Sequence, residues 1–344
     1  MTDPQPQTFR NALRFRNSPE TIHRFPFPFE ADAYRTSTNL EQHDRTGPGP
    51  AYRALFDIDA HYEAEMREKA FVLANDPARC QVLPHMAPAA WDALGYIMDN
   101  LARDFPADFG LDRAGERWHW RNRRLGIEHT FRFGEDASLP CGPLDYIGRQ
   151  VQGDLILLDQ RDGNLWLDGG ILTAAQGWSL DFNLGMSWTE WHGPVTGSNE
   201  VAVIDRGLAF TLALRPEAPV RRPNWIVCIT PRLDNSLETY PEWGGAYAGA
   251  PPADIGRDVF LRVEMQQLFR LPRSNAVLFA IRVYMASLDD LATVPKWVKR
   301  LHRVFRDLPD DIERVKGLPF RREIVAWLAA HDDGTPLTPG RGPE

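Results

Sequence analysis

A histidine at the end of a short aromatic segment is the residue best suited to chemistry. His192 follows Trp188 and Trp191 and stands directly before a Gly-Pro pair, which is expected to end a short helix. A neutral imidazole at a helix end, among bulky apolar groups, is well suited to bind a metal ion or a haem iron. A histidine that only packs in the interior would give the same pattern. His192 is therefore a candidate ligand, and both interpretations stay open.

A second group of polar residues lies on a predicted β-hairpin over residues 259–286. The first strand alternates strictly, so that Arg262, Glu264 and Arg270 share one face and apolar residues share the other. The return strand alternates in the same way. Gln267 departs from the pattern, because it falls on the apolar face. A buried amide there needs a hydrogen-bond partner or a ligand.

The sequence lacks the motifs of several common catalytic and nucleotide-binding sites. Gly-x-Ser-x-Gly, His-Glu-x-x-His, Gly-x-Gly-x-x-Gly and paired-carboxylate patterns do not occur. Cys80, Cys141 and Cys228 are far apart and form no Cys-x-x-Cys pair. This argues against a zinc ribbon, an iron–sulfur cluster on this chain and a disulfide scaffold. Cys141 could serve as a thiolate ligand or be an ordinary loop cysteine.

The charge and hydropathy of the chain restrict its partners. The net charge is −8 and no long basic run occurs, which argues against nucleic acid and anionic membrane surfaces as partners. No stretch approaches the length of an apolar membrane span, and the first ten residues contain no apolar segment of a signal peptide. We therefore expect a cytoplasmic protein. The aromatic residues, which include 11 Trp and 18 Phe, fit either core packing or the walls of a cavity for a flat ligand.

The elements that must position these residues predict an α+β fold. Helical periodicity precedes and follows a set of short β-like runs joined by turns, and no βαβ alternation is present. The sheet is therefore expected to be mainly antiparallel. Residues 1–55, rich in proline, predict an extended N-terminal arm, residues 56–331 a single domain, and residues 332–344 a loose C-terminal tail.

Four ordered motifs give the chain a resemblance to a known family. Residues 262–284 resemble the segment Glu-x-Gln-Thr-Leu-x-Arg-Leu-Pro-x-Ser-x-Ala-x-x-Phe-x-Ile-Arg-x-Tyr of the haem-dependent oxidative N-demethylase α-subunit family. Residues 152–155 are similar to its Gln-Glu-Asp-Leu segment. Residues 177–178 and 191–195 are similar to its Pro-Ser-Gly-Trp and Ile-His-x-Pro-Val segments, and residues 222–225 to its Arg-x-Asn-Trp segment.

The resemblance implies both a fold and an activity. The fold is a PAS-like sheet that holds haem b, flanked by helices. The activity is a monooxygenase reaction, the oxidative removal of a methyl group from a small secondary amine with O₂. Electrons would come from a partner reductase whose subunits carry flavin and iron–sulfur centres, because a chain that binds only haem needs an external electron source. The oligomeric state stays open, and a homo-oligomer is one alternative.

The resemblance also implies roles for individual residues. His192 becomes the candidate axial ligand of the haem iron. The guanidinium groups of Arg262, Arg270 and Arg282 become candidates for binding the haem propionates, with cross-strand ion pairs as the alternative. Trp178 is implied as a haem contact. The residues implied near the substrate are Glu264, Gln267 and Tyr284. For Glu264 a structural role beside the arginines is favoured over that of an acid near the amine.

Four residues in three motifs depart from the family pattern and leave the substrate open. Gly153 replaces a glutamate, Gln267 replaces a threonine, and Ala175-Gln176 replaces Pro-Ser. If one of these positions contacts substrate, the amine differs from dimethylamine or the reaction differs. Two further functions stay open: a haem-binding or gas-binding sensor module without turnover, and a haem-free scaffold homologue.

Overall fold

The fold is described from a computed structural model, over residues 19–35, 38–45, 50–193 and 198–344. These residues form ten strands in two sheets and fourteen α-helices. The strands are Glu41–Gln42 (β1), Cys80–Val82 (β2), Phe109–Ala114 (β3), Arg117–Asn122 (β4), Ile127–Arg132 (β5), Asp154–Arg161 (β6), Asn164–Ile171 (β7), Val220–Cys228 (β8), Phe260–Arg270 (β9) and Val277–Ser287 (β10).

The helices vary from single turns to an eighteen-residue helix. They are Pro19–Ile22 (α1), Pro50–Arg53 (α2), Tyr62–Asn75 (α3), Ala87–Asp104 (α4), Pro143–Gly148 (α5), Leu180–Asn183 (α6), Trp188–Trp191 (α7), Ser198–Leu212 (α8), Tyr240–Tyr247 (α9), Ile255–Asp258 (α10), Leu288–Ala292 (α11), Pro295–Arg306 (α12), Asp310–Lys316 (α13) and Arg321–Ala329 (α14). In the described ranges, no helix is both long and apolar enough to cross a membrane.

The main sheet has seven strands in the order β1-β8-β9-β10-β6-β7-β2, and every neighbouring pair is antiparallel. A separate sheet contains β3, β4 and β5. Helices and antiparallel sheets occur together in one chain. The predicted α+β class is therefore confirmed.

The β9–β10 hairpin divides the protein into two environments. Leu261, Val263 and Met265 of β9 pack against helices α11, α12 and α14 on one face of the main sheet. Phe279 and Ile281 of β10 face the other side, where they pack with β6, β7 and aromatic residues of the segment that contains α7. Because both faces are covered, almost every residue of the two strands is buried.

Aromatic side chains attach the N-terminal segment to the helical face. Phe27 stacks on Trp297 of α12 at 5.2 Å between ring centroids, and Phe29 meets Trp225 of β8 edge to face. These rings are buried, so the contacts join the segment to the core instead of lying on its surface.

The C-terminal segment 332–344 lies against the body of the protein, whereas a loose tail was expected. Arg300 of α12 donates hydrogen bonds to the carbonyls of Thr338 and Gly340, and Trp297 Nε1 donates to the Arg341 carbonyl at 2.9 Å. A Gly/Pro-rich composition indicated little regular structure but could not reveal these long-range carbonyl contacts.

Gly153 has a structural reason to replace the family's glutamate. Its φ of +88° is in a region that non-glycine residues rarely adopt, and a Cβ there would overlap the backbone carbonyl of Ile281. We predict that Gly153→Ala lowers the free energy of unfolding by about 1–3 kcal/mol, measured by urea denaturation. Gly163→Ala, at φ +68° in an open turn, is the matched control without a clash. Equal losses in the two variants would contradict the close approach to Ile281.

Candidate haem and substrate cavity

A cavity of about 360 Å³ lies on the face of the main sheet opposite helices α11, α12 and α14. Strands β8, β9 and β10 form its floor, and helices α7 and α8 form part of its wall. Its volume falls in the range of pockets that bind small molecules or cofactors. We call it the sheet cavity. Its lining residues are Thr38, Leu40, Gln176, Trp178, Trp188, Trp191, His192, Val203, Ile204, Gly207, Thr211, Arg222, Asn224, Ile226, Glu264, Gln266, Leu268, Phe279 and Ile281.

One end of the sheet cavity is aromatic. Trp178 and Trp191 lie 5.3 Å apart between ring centroids, and Trp191 lies 6.1 Å from Phe279. Trp188 meets Trp191 edge to face. Flat, apolar walls of this kind suit a large aromatic ligand.

His192 enters this aromatic end from the C-terminus of α7. The helix begins with a capping box in which Ser187 and Glu190 satisfy each other's backbone N–H groups, and this fixes where its single turn ends. His192 Nδ1 lies 2.8 Å from the Trp188 carbonyl oxygen. Because a carbonyl can only accept, Nδ1 carries the proton and Nε2 keeps its lone pair.

The charge state of His192 agrees with that tautomer. Burial lowers the pKa of the imidazole, and the positive charge of Arg222 lowers it further, against the opposing hydrogen bond to Trp188. The ring therefore stays neutral near pH 7. A neutral imidazole with its other nitrogen held by a carbonyl is the arrangement found in histidine metal ligands.

The other end of the sheet cavity is polar and contains the carboxylate of Glu264. This carboxylate accepts hydrogen bonds from Asn224 Nδ2 at 3.2 Å, Gln266 Nε2 at 3.1 Å and Arg262 Nε at 3.4 Å. The side chain is buried, so three donors hold it in one orientation. It can accept a hydrogen bond from a cationic or N–H-bearing ligand in the cavity.

Lys316 of α13 does not line the sheet cavity but contacts Asn224 at its polar end. Its Nζ donates to Asn224 Oδ1 at 2.7 Å. Desolvation and the nearby charge of Arg222 lower the pKa of Lys316 to about 7. Folding therefore favours the neutral amine, whereas the unfolded chain binds this proton up to about pH 10.4.

This shift predicts a pH dependence of stability. Between about pH 7 and 10 the unfolded state binds one more proton at Lys316 than the folded state, so stability should rise by up to about 1.4 kcal/mol per pH unit. Lys316→Met should remove that contribution, measured by urea denaturation across this range. Lys299→Met, which removes a lysine paired with Asp333 at the surface, is the control. Identical pH slopes in Lys316→Met and the wild type would contradict the prediction.

Residues 50–326 match the family described as "Haem-dependent oxidative N-demethylase, alpha subunit-like". The match covers well over half of the chain. The chain belongs to this family. The resemblance inferred from its sequence motifs is thereby confirmed, and the family description itself states haem dependence and an α-subunit role.

The structure brings three of the predicted site residues of this family member to the sheet cavity. Trp178, His192 and Glu264 all line it. Gln176, one of the departures from the family pattern, also lines it, whereas Gly153 directly precedes β6 and lies against the backbone of Ile281 in β10. The substitution at Gln176 can therefore change ligand specificity by direct contact, whereas the one at Gly153 cannot.

The other predicted residues do not line the sheet cavity. Arg262 donates to the carbonyls of Leu233 and Ala174, and Arg270 donates to the Thr211 and Leu214 carbonyls at the end of α8. Backbone oxygens accept from both guanidinium groups, and Arg262 also pairs with Glu264 of its own strand at 3.4 Å, whereas the sequence suggested cross-strand ion pairs as the alternative.

Residues Gln267, Arg282 and Tyr284 lie on the opposite face of the sheet. Arg282 forms ion pairs with Asp59 at 2.7 Å and Glu65 at 3.1 Å. The Tyr284 hydroxyl donates to Asp57 at 2.9 Å. Gln267 is buried, and its Oε1 has no hydrogen-bond partner in the part of the chain that the structure describes.

Sequence reasoning missed two residues of the polar end. Arg222 and Asn224 line the sheet cavity, whereas the sequence connects them only with the family's Arg-x-Asn-Trp segment and assigns them no role. Their two-residue spacing places both on one face of β8. That spacing was the available signal, and the register with Glu264 then shows which face it is.

Proposed function

We propose that the protein is a haem-dependent oxidative N-demethylase that acts as a monooxygenase on a small secondary amine, using O₂ and electrons from a partner reductase. The single observation that carries the proposal is His192. Its Nδ1 is engaged by the Trp188 carbonyl inside a cavity with aromatic walls, which leaves Nε2 as a neutral nitrogen ligand.

The residues of the sheet cavity fit haem b in their chemistry. His192 would bind the iron, and Trp178, Trp191 and Phe279 would pack against the porphyrin. Bound haem would supply the iron that activates O₂. We also propose that the five central strands form the PAS-like sheet that the family resemblance implies. Numbered in chain order from β6 to β10, they run 2-1-5-4-3 across the sheet, so that the first and fifth strands meet at its centre.

The protein's own residues would orient the amine. The Glu264 carboxylate, held by Asn224, Gln266 and Arg262, would accept a hydrogen bond from the amine nitrogen and fix the position of its methyl group. The aromatic end would exclude water. Overall, the amine, O₂, two electrons and two protons would give the demethylated amine, formaldehyde and water.

The electrons must come from outside this chain. The sequence has no dinucleotide-binding motif and no cysteine cluster, and the family is described as alpha subunit-like. We propose a partner with flavin and iron–sulfur centres.

The test begins with the ultraviolet–visible spectrum of protein purified from haem-supplemented cells. We expect a Soret band that shifts on reduction and again on addition of CO, followed by amine-dependent O₂ uptake and formaldehyde release with a supplied reductant. Haem binding without amine-dependent uptake would leave a gas-binding module. Failure to take up added hemin would overturn the proposal.

A further inference from the structure

The guanidinium of Arg222 differs from the other arginines of the main sheet. Arg221, Arg262, Arg270 and Arg282 each donate to carboxylates or backbone carbonyls. Arg222 lines the sheet cavity and, within the described ranges, its side chain forms neither a hydrogen bond nor an ion pair. Its Nε is buried.

The surroundings of Arg222 do not neutralise it. The carboxylate whose charge acts on Arg222 is that of Glu264, which is already bound to Arg262, Asn224 and Gln266. Lys316 adds a second basic group nearby. An unpaired cation in a partly desolvated site is costly, and desolvation accordingly lowers the pKa of Arg222.

A half-buried cation that faces a cavity and has no partner among the described residues is best explained by an anionic group of the ligand. The guanidinium fork matches a carboxylate by two parallel N–H···O bonds, which a lysine cannot provide. The apolar walls around it favour a ligand that is otherwise apolar.

We propose that Arg222 binds a carboxylate of the ligand held in the sheet cavity, and that on the proposed function this carboxylate is a haem propionate. A carboxylate carried by the amine substrate has the same chemistry and is the second source. This proposal rests on the proposed function, but it concerns the acidic groups of the ligand and not the iron. In this proposal Arg222 takes the propionate-binding role that the sequence motif implied for Arg262, Arg270 and Arg282. Its guanidinium has no partner among the described residues, whereas theirs do.

The test separates carboxylate binding from iron binding. Protoporphyrin IX, which has no iron, and its dimethyl ester, which has no free carboxylate, are titrated into wild type, Arg222→Met and Arg222→Lys. Quenching of the tryptophans that line the cavity reports binding. We expect Arg222→Met to weaken protoporphyrin IX binding by about 10–100-fold and ester binding by less than about 2-fold, with an intermediate loss for Arg222→Lys.

A second readout identifies the source of the carboxylate. N-methylglycine and dimethylamine are titrated by calorimetry into the wild type and Arg222→Met, each with and without haem. Equal porphyrin affinities in the two proteins, with binding of N-methylglycine lost only in the variant, would assign the carboxylate to the substrate and support the inference. Equal affinities for every probe would overturn it.

Stability distinguishes this role from a structural one. Because Arg222 has no partner among the described residues, Arg222→Met should raise the melting temperature of the ligand-free protein while it weakens binding. Arg306→Met, on the exposed side of α12, is the matched control and should change neither property. A lower melting temperature in Arg222→Met, with unchanged affinities, would mean that Arg222 only supports the fold.

A wild type that binds hemin but has the same affinity for protoporphyrin IX and for its dimethyl ester would overturn the propionate assignment. The proposed function would be unaffected by that result.

Discussion

Replacing His192 with alanine should remove the protein ligand of the haem iron and weaken hemin binding at least about 100-fold. The size follows from its position, since its Nδ1–H is fixed by the Trp188 carbonyl and its ring packs on Trp188 and Trp191. The measurement is a hemin titration followed at the Soret band, with the spectrum of the bound form recorded in both redox states. Added imidazole should restore the wild-type spectrum in part, because the variant leaves room for it beside these rings.

The matched control for this prediction is His119→Ala. His119 bonds to Glu128 and Thr130 on the three-stranded sheet and does not line the sheet cavity. It should leave hemin binding unchanged. Protoporphyrin IX, which has no iron, should bind the His192 variant almost as well as the wild type. An unaltered hemin spectrum in His192→Ala would show that another residue binds the iron, and the proposed function would lose its main support.

The β9–β10 hairpin could be predicted from the sequence because its information is local. Strict alternation from residue 260 to 270 fixes a strand and its two faces, and the four residues Pro272 to Asn275 supply the turn. The sheet order could not be predicted, because β6 pairs with β10 across more than a hundred intervening residues. The alternation of residues within β6 or within β10 does not indicate which strand each one pairs with.

The site was predicted in part, and register explains the difference. Cross-strand partners share a face, and Glu264 pairs with Val283, whereas Arg282 pairs with Met265. Arg262, Glu264 and Arg270 of β9 therefore face the opposite side of the sheet from Arg282 and Tyr284 of β10. Each strand's alternation was visible in the sequence, but which face of one strand joins which face of the other depends on a one-residue choice of register.

Arg222 could not be recognised from sequence for a different reason. An arginine on a strand normally finds a carboxylate or a carbonyl, as its neighbour Arg221 does with Glu41. What distinguishes Arg222 is that, in the part of the chain described, its side chain has no such partner. That property is spatial and has no local signature. His192 could be singled out because its signal, a histidine between tryptophans and a Gly-Pro pair, is contiguous.

Replacing Arg282 with methionine should lower the free energy of unfolding by about 3–5 kcal/mol, the largest stability effect expected for this protein. Its guanidinium is buried between Asp59 and Glu65. Burial raises the pKa of Glu65 to about 7, and Arg282 opposes that shift. At Asp59 burial raises the pKa, but the charge of Arg282, together with hydrogen bonds from Gln152 and the His61 backbone N–H, outweighs it and lowers the pKa. Without Arg282, Asp59 would be a buried carboxylate without its cation. Urea denaturation at pH 7 measures the loss.

Two further variants identify the cause of this loss. Adding Asp59→Asn to Arg282→Met should recover part of the stability, because it removes the charge left uncompensated. Arg132→Met, which breaks an exposed ion pair with Glu116, should cost less than about 1 kcal/mol. Hemin affinity of the folded Arg282→Met protein should match that of the wild type, since Arg282 lies across the sheet from the cavity. A small loss of stability with a large loss of hemin affinity would instead return Arg282 to the propionate-binding role that its place in the sequence motif implied.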